Sequence, residues 1–457
     1  MADQNFDLVV LGGGSGGYAA ALRASQLGQS VALIEKNKLG GTCLHVGCIP
    51  TKALLHAGEI ADGAREAAKY GVQATLHGVD INAVTQYREG VVQSKWKGLT
   101  GLIKARGITV IEGEGRYAGG TSVTVNGDTV TGKNLILATG SYSRSLPGLD
   151  LGGRVITSEQ ALGLDFIPGK VAILGGGVIG VEFASVWKSF GSEVTIVEGL
   201  PHLVPNEDEA MSKALERAFR KRGIEFKLGV RFQSVQQHDN GVVVTLENGE
   251  TVEAELLLVA VGRGPATGGL GLEENGIRMD RGYVLTNERL ATSVPNVYAV
   301  GDIVPGLQLA HRGFQQGIFV AEEIAGLNPI IIEDVNIPKV TYSDPEVASI
   351  GLSEVKAVEK YGKDKVTTYD YNLAGNGRSH ILGTTGSVKV VRVNDGPVVG
   401  VHMVGARVGE LIGEAQLAVN WEAYPEDITP LVHAHPTQNE ALGEAFLAIA
   451  GKPLHAL

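Results

Sequence analysis

The 457-residue sequence contains only two cysteines, too few for the disulfide framework of a secreted protein. No run of about eighteen apolar residues occurs, so no membrane-spanning helix is predicted. The formal net charge is −11, which disfavours nucleic acid or an anionic membrane as the main partner. The first residues, MADQNFDLVVLGGG, lack the basic and apolar regions of a secretion signal. We therefore expect a cytoplasmic protein without a membrane span.

The sequence is rich in glycine, with 64 residues, and part of this glycine lies in an internal repeat. The stretches FDLVVLGGGSGGYAAALRASQLGQSVALIE and GKVAILGGGVIGVEFASVWKSFGSEVTIVE have the same order of features. Each contains an apolar strand, a G-x-G-x-x-G turn, a helix and a second strand that ends in glutamate. This pattern in this context predicts two dinucleotide-binding folds. The residues concerned are Gly12, Gly14, Gly17 and Glu35 in the first copy, and Gly175, Gly177, Gly180 and Glu198 in the second.

Each glycine and glutamate of this pattern has a physical role. The first glycine permits the tight turn, the second lets the backbone approach a pyrophosphate, and the third lets the helix pack on its strand. Both glutamates are placed to accept hydrogen bonds from ribose hydroxyls. Glu198 would repel the 2′-phosphate of NADP, and no arginine follows in GLPHLVP, so this site is predicted to prefer NAD.

The length of the chain requires more than one hydrophobic core. We expect an α/β protein with two Rossmann-like dinucleotide-binding domains and a C-terminal α+β domain, since short strands replace the earlier pattern after about residue 336. The predicted segments are 1–147, 148–266, 267–335 and 336–457.

The two cysteines, Cys43 and Cys48, stand in the stretch GGTCLHVGCIPTK. Positions with this spacing can form a bridge only if the segment is distorted or lies at a helix start. Pro50 favours a helix start, where the helix dipole would stabilise a Cys48 thiolate and make the pair reactive. Two alternatives are a zinc site and an inert structural bridge. Zinc on Cys43, His45 and Cys48 would lack a second ligand cluster, and a bridge across so short a loop adds little stability.

A second group of candidate residues lies in LVHAHPTQNEAL, near the C-terminus. Thr437 followed by Glu440 fits a capping box, so the glutamate could simply start a helix. Alternatively, His435 is an acid–base catalyst whose ring Glu440 orients, and both roles of Glu440 can hold together. Pro436 would fix the approach of His435, through a cis bond in one interpretation. His433 is interpreted as a structural histidine.

These motifs together resemble the FAD-dependent pyridine nucleotide-disulfide oxidoreductases, over essentially the whole chain. The likeness is greatest to the members that oxidise dihydrolipoamide. The resemblance implies FAD on the first fold, NAD on the second, a segment (267–335) that completes the FAD site and a C-terminal dimerisation domain. It implies that Cys43 exchanges with the substrate dithiol and that Cys48 passes electrons to the flavin. It places His435 in the active site of the partner subunit of a homodimer.

The resemblance also implies further cofactor-site and helper residues. It pairs Lys52 with Glu182 close to the flavin, although without it the two would be read as unrelated surface charges. Asp302, after an apolar strand, would accept from ribityl hydroxyls. The other implied cofactor residues are Gly115, Thr139, Gly140, Ser141, Gln308, Leu309, Ala310 and His311 for FAD, and Gly262 for NAD.

The expected reaction is the oxidation of dihydrolipoamide, free or on a lipoyl-bearing carrier domain, with reduction of NAD⁺. The alternative is a related NAD(P)H-dependent reductase of another small disulfide. Glu198 counts against the NADPH-dependent glutathione reductases. His45, Thr51 and the stretch LAGNGRSH (373–380) depart from the pattern of the family and leave the substrate channel open.

Overall fold

The computed structural model describes residues 4–456, and residues 4–143 form a helix-covered sheet. The neighbouring strands run in the order β3-β2-β1-β6-β5-β4, in which β3, β2, β1 and β6 are parallel. β1 is fully buried from Leu8 to Val10, which explains its uninterrupted apolar sequence: Leu8 and Val10 pack in a core with α1 and α8 (Ala310–Ile324), and Val9 packs on the opposite face with β4 and β5. The elements are β1 (Gln4–Leu11), α1 (Ser15–Gln26), β2 (Val31–Glu35), α2 (Gly41–His45), α3 (Cys48–Glu66), α4 (Ile81–Ala105), β3 (Thr109–Glu112), β4 (Arg116–Gly119), β5 (Ser122–Val125), β6 (Asp128–Leu137) and β7 (Ser141–Ser143).

Residues 155–265 repeat this arrangement with a parallel sheet of order β11-β10-β9-β15-β8 and a separate meander, β12-β13-β14. The predicted internal repeat is therefore confirmed as a repeat of structure. The elements are β8 (Val155–Thr157), α5 (Ser158–Leu162), β9 (Lys170–Leu174), α6 (Val178–Phe190), β10 (Glu193–Glu198), α7 (Glu209–Arg222), β11 (Glu225–Leu228), β12 (Phe232–His238), β13 (Gly241–Leu246), β14 (Thr251–Ala254), β15 (Leu256–Val259) and β16 (Arg263–Pro265).

The chain then returns to the first sheet. This segment contains β17 (Met279–Asp280), β18 (Tyr283–Val284), β19 (Val297–Ala299) and α8 (Ala310–Ile324). β19 pairs in parallel with β6, and α8 lies directly on α1. The two helix backbones touch because both helices have glycine at the contact. A Cβ on Gly317 would lie 2.2 Å from the Gly16 carbonyl oxygen.

The C-terminal part is an antiparallel five-stranded sheet with helices, as predicted. Its strand order is β20-β21-β24-β23-β22. The elements are β20 (Lys339–Thr341), β21 (Glu346–Gly351), α9 (Glu354–Tyr361), β22 (Val366–Asn372), α10 (Gly377–Ile381), β23 (Ser387–Val393), β24 (Val398–Gly405), α11 (Val408–Asn420), α12 (Pro425–Ile428) and α13 (Glu440–Ile449).

A buried ion-pair cluster joins the second fold to the C-terminal part. The Lys389 ammonium lies 2.9 Å from Asp208 and 2.7 Å from Glu354. Asp208 is only 3% exposed and also caps α7 by accepting from the Ala210 N–H. Among the described residues, no helix combines the length and apolar character needed to cross a membrane. The residue limits of the four predicted segments remain a prediction.

Candidate active site

The third glycine of each repeat is required by contact between helix and strand. A Cβ on Gly17 would lie 1.8 Å from the Gly12 carbonyl oxygen, and one on Gly180 would lie 1.9 Å from that of Gly175. Gly12 and Gly175 have positive φ angles of 106° and 108°, which glycine adopts without strain. The tight turn predicted from the first glycine is therefore present in both folds.

The middle glycine of each repeat faces open space. A Cβ on Gly14 or on Gly177 would meet no protein atom within 4 Å. These glycines precede the first residues of α1 and α6, where backbone N–H groups are free to bind an anion. The space and the donors fit the pyrophosphate of a dinucleotide in each fold.

The glutamate that ends the second strand of each repeat is held by the backbone. Glu35 accepts from the Gly13 N–H at 2.6 Å and from the Asn37 N–H at 2.8 Å. Glu198 accepts from the Gly176 N–H at 2.7 Å and from the Leu200 N–H at 2.8 Å. Each carboxylate oxygen keeps lone-pair capacity for a ribose hydroxyl, so both glutamates remain candidates for that contact.

The central segment brings Asp302 next to the end of the first sheet. The Ser141 hydroxyl donates to Asp302 at 2.5 Å, and the Gln308 amide donates to the Asp302 carbonyl at 3.4 Å. Arg263, which the sequence did not single out, donates to the Ser141 hydroxyl at 2.8 Å and to its carbonyl at 2.9 Å. Ser141 and Asp302 are therefore brought together as a polar cluster.

The remaining predicted cofactor residues lie between strands or at the start of α8. The Thr139 hydroxyl donates to the Ala266 carbonyl at 2.8 Å, and a Cβ on Gly115 would lie 2.5 Å from Leu11 Cδ1. The His311 ring bonds the Pro338 carbonyl at 2.7 Å. Leu309 and Ala310 begin α8, and Gly140 and Gly262 have φ angles of 77° and 103°.

The cysteine pair lies across a break between two helices. α2 ends at His45, and α3 begins at Cys48 itself, so the predicted helix start is confirmed. Both sulfurs are free thiols in half-buried positions. The Cys43 thiol donates to the Cys48 sulfur; this hydrogen bond and burial raise the pKa of Cys43. The same bond lowers the pKa of Cys48 to about 7, against burial and with help from Lys52. Of the two sulfurs, Cys48 is the one that favours the thiolate form.

Lys52 and Glu182 form the predicted ion pair. The ammonium lies 2.8 Å from each carboxylate oxygen, although the two residues belong to α3 and α6. Burial disfavours the charged form of Lys52, but the Glu182 carboxylate outweighs burial and raises the pKa of the lysine. Tyr342 completes the group: its N–H donates to Glu182 at 2.9 Å, and its ring lies 4.8 Å from the ammonium. The Lys52 ammonium, which this cluster keeps charged, lies one helical turn beyond Cys48.

His435 and Glu440 are paired at 2.8 Å between Nδ1 and Oε1. The His435 side chain is 78% exposed, and the His435–Pro436 bond is cis, as one interpretation predicted. The capping box is only half present: the Thr437 N–H donates to Glu440 Oε2 at 2.7 Å, but α13 begins at Glu440 rather than after Thr437. Burial works against the charged form of Glu440, but the Thr437 and His435 hydrogen bonds outweigh it and lower its pKa. The geometry fits the predicted role of Glu440 as the carboxylate that orients His435.

Two other histidines have structural partners. His433 bonds Glu414 at 2.9 Å, as expected of a structural histidine. The His45 ring bonds the Leu39 carbonyl at 2.9 Å and packs edge-on against Trp96. Among residues 4–456, no three His, Cys, Asp or Glu side chains form a group that could hold a metal ion.

Two sequence profiles match consecutive parts of this chain. Residues 6–317 match the pyridine nucleotide-disulphide oxidoreductases, and residues 337–446 match the dimerisation domain of the same family. The chain belongs to this family. The oxidoreductase therefore has FAD and NAD as its cofactors and carries a dimerisation domain. Which of its residues contact each cofactor stays a prediction.

Several proteins are similar to this oxidoreductase over nearly its full length. Two proteins named dihydrolipoyl dehydrogenase from Bacillus subtilis are 40% and 41% identical; each match covers 98% of this chain and 99% and 97% of theirs. The mitochondrial dihydrolipoyl dehydrogenase of Pisum sativum is 39% identical, covering 99% of this chain and 93% of its own. The crystal structure of LpdA from Mycobacterium tuberculosis matches with a TM-score of 0.90 at 27% identity, over 98% and 99% of the two chains. A Cu(II) complex of the HOCl-induced flavoprotein disulfide reductase RclA from Escherichia coli matches with a TM-score of 0.88 at 27% identity, over 98% and 100%.

Proposed function

We propose that this oxidoreductase converts dihydrolipoamide to lipoamide and reduces NAD⁺ to NADH. Relatives of about 40% identity over nearly the whole chain are named dihydrolipoyl dehydrogenases. The observation that carries the proposal is the thiol pair at the start of α3, in which one sulfur is held as a thiol and the other favours the thiolate.

The exchange with substrate uses the two sulfurs unequally. A substrate thiolate attacks Cys43 of the oxidised pair, which breaks the Cys43–Cys48 bond and releases Cys48 as a thiolate. The second substrate thiol then attacks the mixed disulfide, so that lipoamide leaves and Cys43 takes up a proton. Bound FAD and NAD⁺ supply the two-electron acceptor chemistry that restores the disulfide.

His435 is the group proposed to take the proton from the substrate thiol. Glu440 holds its Nδ1 at 2.8 Å, which leaves Nε2 available as the base. The imidazolium formed on proton transfer is stabilised by the same carboxylate. Because the His435 side chain is 78% exposed, it is available to another subunit, and we place it in the active site of the partner in a homodimer.

Lys52 and Glu182 are proposed to control the charge beside Cys48. The ammonium favours the Cys48 thiolate, and the carboxylate limits that effect. Glu198 is proposed to select NAD⁺ over NADP⁺, because its fixed carboxylate would repel a 2′-phosphate.

A steady-state assay with four substrate combinations tests the proposal. Dihydrolipoamide with NAD⁺ should give the highest kcat/KM, compared with dihydrolipoamide with NADP⁺ and with glutathione disulfide and NADH or NADPH. Cys43→Ser, Cys48→Ser and His435→Ala should each lose most turnover. A preference for glutathione disulfide with NADPH would contradict the proposed substrate, and a near-normal rate in one variant would contradict the role given to that residue.

The physiological partner and compartment are separate proposals. We propose that the substrate is presented by a lipoyl-bearing carrier domain or as free dihydrolipoamide, and a comparison of kcat/KM for the two distinguishes them. Localisation in the cytoplasm remains a prediction; named relatives include mitochondrial proteins.

A further inference from the structure

Asn376 is a buried amide in the segment LAGNGRSH, which departs from the expected pattern of the family. Its side chain is 3% exposed and makes two hydrogen bonds. Oδ1 accepts from the Ser379 N–H at 2.9 Å and so caps α10, while Nδ2 donates to the Thr437 carbonyl at 3.0 Å. The second bond connects α10 to the loop that carries His435.

Thr437 passes this contact on to the acid–base pair. Its N–H donates to Glu440 Oε2 at 2.7 Å, and Glu440 Oε1 pairs with His435 Nδ1 at 2.8 Å. Thr437 is therefore held by Asn376 through its carbonyl, and it holds Glu440 through its amide. Three successive hydrogen bonds join a buried amide to an exposed histidine.

Within one subunit, the apolar side chains of the loop do not anchor it, so its polar contacts fix its position. Leu431 is 58% exposed and Val432 is 98% exposed. The Gln438 amide donates to the Ala406 carbonyl at 2.7 Å, but on the far side of Thr437 from His435. The bond from Asn376 is made to the residue that orients Glu440.

We propose that Asn376 is a positioning residue for the His435–Glu440 pair. This inference rests on the acid–base role given to His435 in the proposed function. Without the Asn376 donor, the half-buried Thr437 carbonyl loses this partner, and only the bond of the Thr437 hydroxyl to the Ala434 carbonyl helps to fix the direction of the Thr437 amide. Glu440 then holds His435 less firmly in the orientation needed to accept the substrate proton.

Asn376→Ser separates positioning from helix capping. Serine is also a good N-cap and is neutral, so α10 keeps its cap, but its hydroxyl is too short to reach Thr437. Asn372→Ser is the matched control, because Asn372 caps the preceding turn by accepting from the Ala374 N–H at 2.9 Å. Should Asn376→Ser be poorly folded, Asn376→Asp provides a second variant that keeps the capping oxygen and removes the donor.

Two activities are measured on the purified holoenzyme. Asn376→Ser should lower kcat with dihydrolipoamide about five- to tenfold, the range that corresponds to the net worth of one hydrogen bond. Oxidation of NADH by a quinone, which needs no substrate thiol, should stay within twofold of wild type. Asn372→Ser should leave both rates unchanged.

A double-mutant cycle with Glu440→Ala then tests the route of the effect. If Asn376 acts through Glu440, Asn376→Ser should cost less than twofold in the Glu440→Ala background. The inference would be overturned if Asn376→Ser lowered kcat equally in both backgrounds, lowered both activities, or lowered neither. The dihydrolipoamide activity of His435→Ala distinguishes the two proposals. If His435→Ala loses this activity while Asn376→Ser keeps it, only the role of Asn376 is wrong. If His435→Ala keeps the activity, the acid–base assignment itself is refuted.

Discussion

Removal of the Lys52 charge and removal of the Glu182 charge should shift the pKa of Cys48 in opposite directions. Lys52→Met removes a positive charge that favours the Cys48 thiolate, and Glu182→Gln removes a negative charge that opposes it. A purely structural role for the pair would make the two variants behave alike. The sign of the change is therefore a direct test of the electrostatic role.

The size of each change follows from the positions of the charges. Cys48 and Lys52 are one helical turn apart, so thiolate and ammonium lie at about 6 Å and attract by about 3 kcal/mol at an effective dielectric constant of about 20. The Glu182 carboxylate, 2.8 Å from the ammonium, has a smaller effect on Cys48 than Lys52 has; a separation of about 9 Å would correspond to a repulsion of about 2 kcal/mol. Since about 1.4 kcal/mol corresponds to one pH unit, Lys52→Met should raise the titration midpoint of Cys48 by about 2 pH units. Glu182→Gln should lower it by about 1 pH unit.

The assay is the pH dependence of Cys48 alkylation by iodoacetamide in the reduced protein. Mass spectrometry separates modification of Cys48 from that of Cys43. Lys69→Met and Glu66→Gln are the controls, because Lys69 and Glu66 form an exposed pair at 2.7 Å at the far end of the same helix. Equal shifts of the same sign in Lys52→Met and Glu182→Gln, or equal shifts in the controls, would refute the reasoning.

Three further predictions concern cofactor binding and stability. Gly177→Ala adds a methyl group to open space, so it should leave the unfolding temperature unchanged and weaken NAD⁺ binding at least tenfold, while Gly180→Ala, with its contact at 1.9 Å, should unfold at lower temperature. Burial raises the pKa of Glu346 to about 7. Its protonated form therefore contributes stability that is complete below about pH 4.5 and lost as the pH rises through 7, and Glu346→Gln should gain about 2 kcal/mol relative to wild type between pH 5 and pH 8. Lys389→Met leaves the buried Asp208 carboxylate unpaired and should destabilise the protein by about 3 kcal/mol in urea unfolding.

Each of these predictions has an outcome that would contradict it. Equal loss of stability in Gly177→Ala and Gly180→Ala would show that the open space is not a binding cavity. A pH-independent difference between Glu346→Gln and wild type would remove the titration argument. If Lys389→Met were as stable as wild type, the Asp208 carboxylate must be solvated or protonated at no cost.

The dinucleotide folds were predictable because their signal is local. Gly12 and Gly17 belong to one turn, and the contact that excludes a side chain lies within that turn. The start of α3 at Cys48 was predictable for the same reason, since Pro50 and the break before the helix are neighbours in sequence. Local geometry leaves a trace in the sequence that can be read without knowledge of the tertiary structure.

Contacts between distant segments were not predictable from the residues alone. Lys52 and Glu182 were paired only through a family resemblance, because their contact depends on how α3 packs on α6. Tyr342 and Arg263 gave no signal, since they act through the backbone and through side chains of other segments. The capping box was half wrong because the Thr437 hydroxyl donates to the Ala434 carbonyl instead of capping α13.

The close packing of α8 on α1 has a consequence for how the protein is made. The first sheet acquires β19 and its covering helix only after the whole second fold has been synthesised, so the earliest part of the chain emerges from the ribosome without its final neighbours. The backbone around Gly16 gains its contact with Gly317 only when α8 has been synthesised. Contacts so far apart in sequence slow folding and leave apolar surface exposed in the meantime. We therefore expect the nascent chain to expose the face of α1 that α8 later covers until its residues near 320 have emerged.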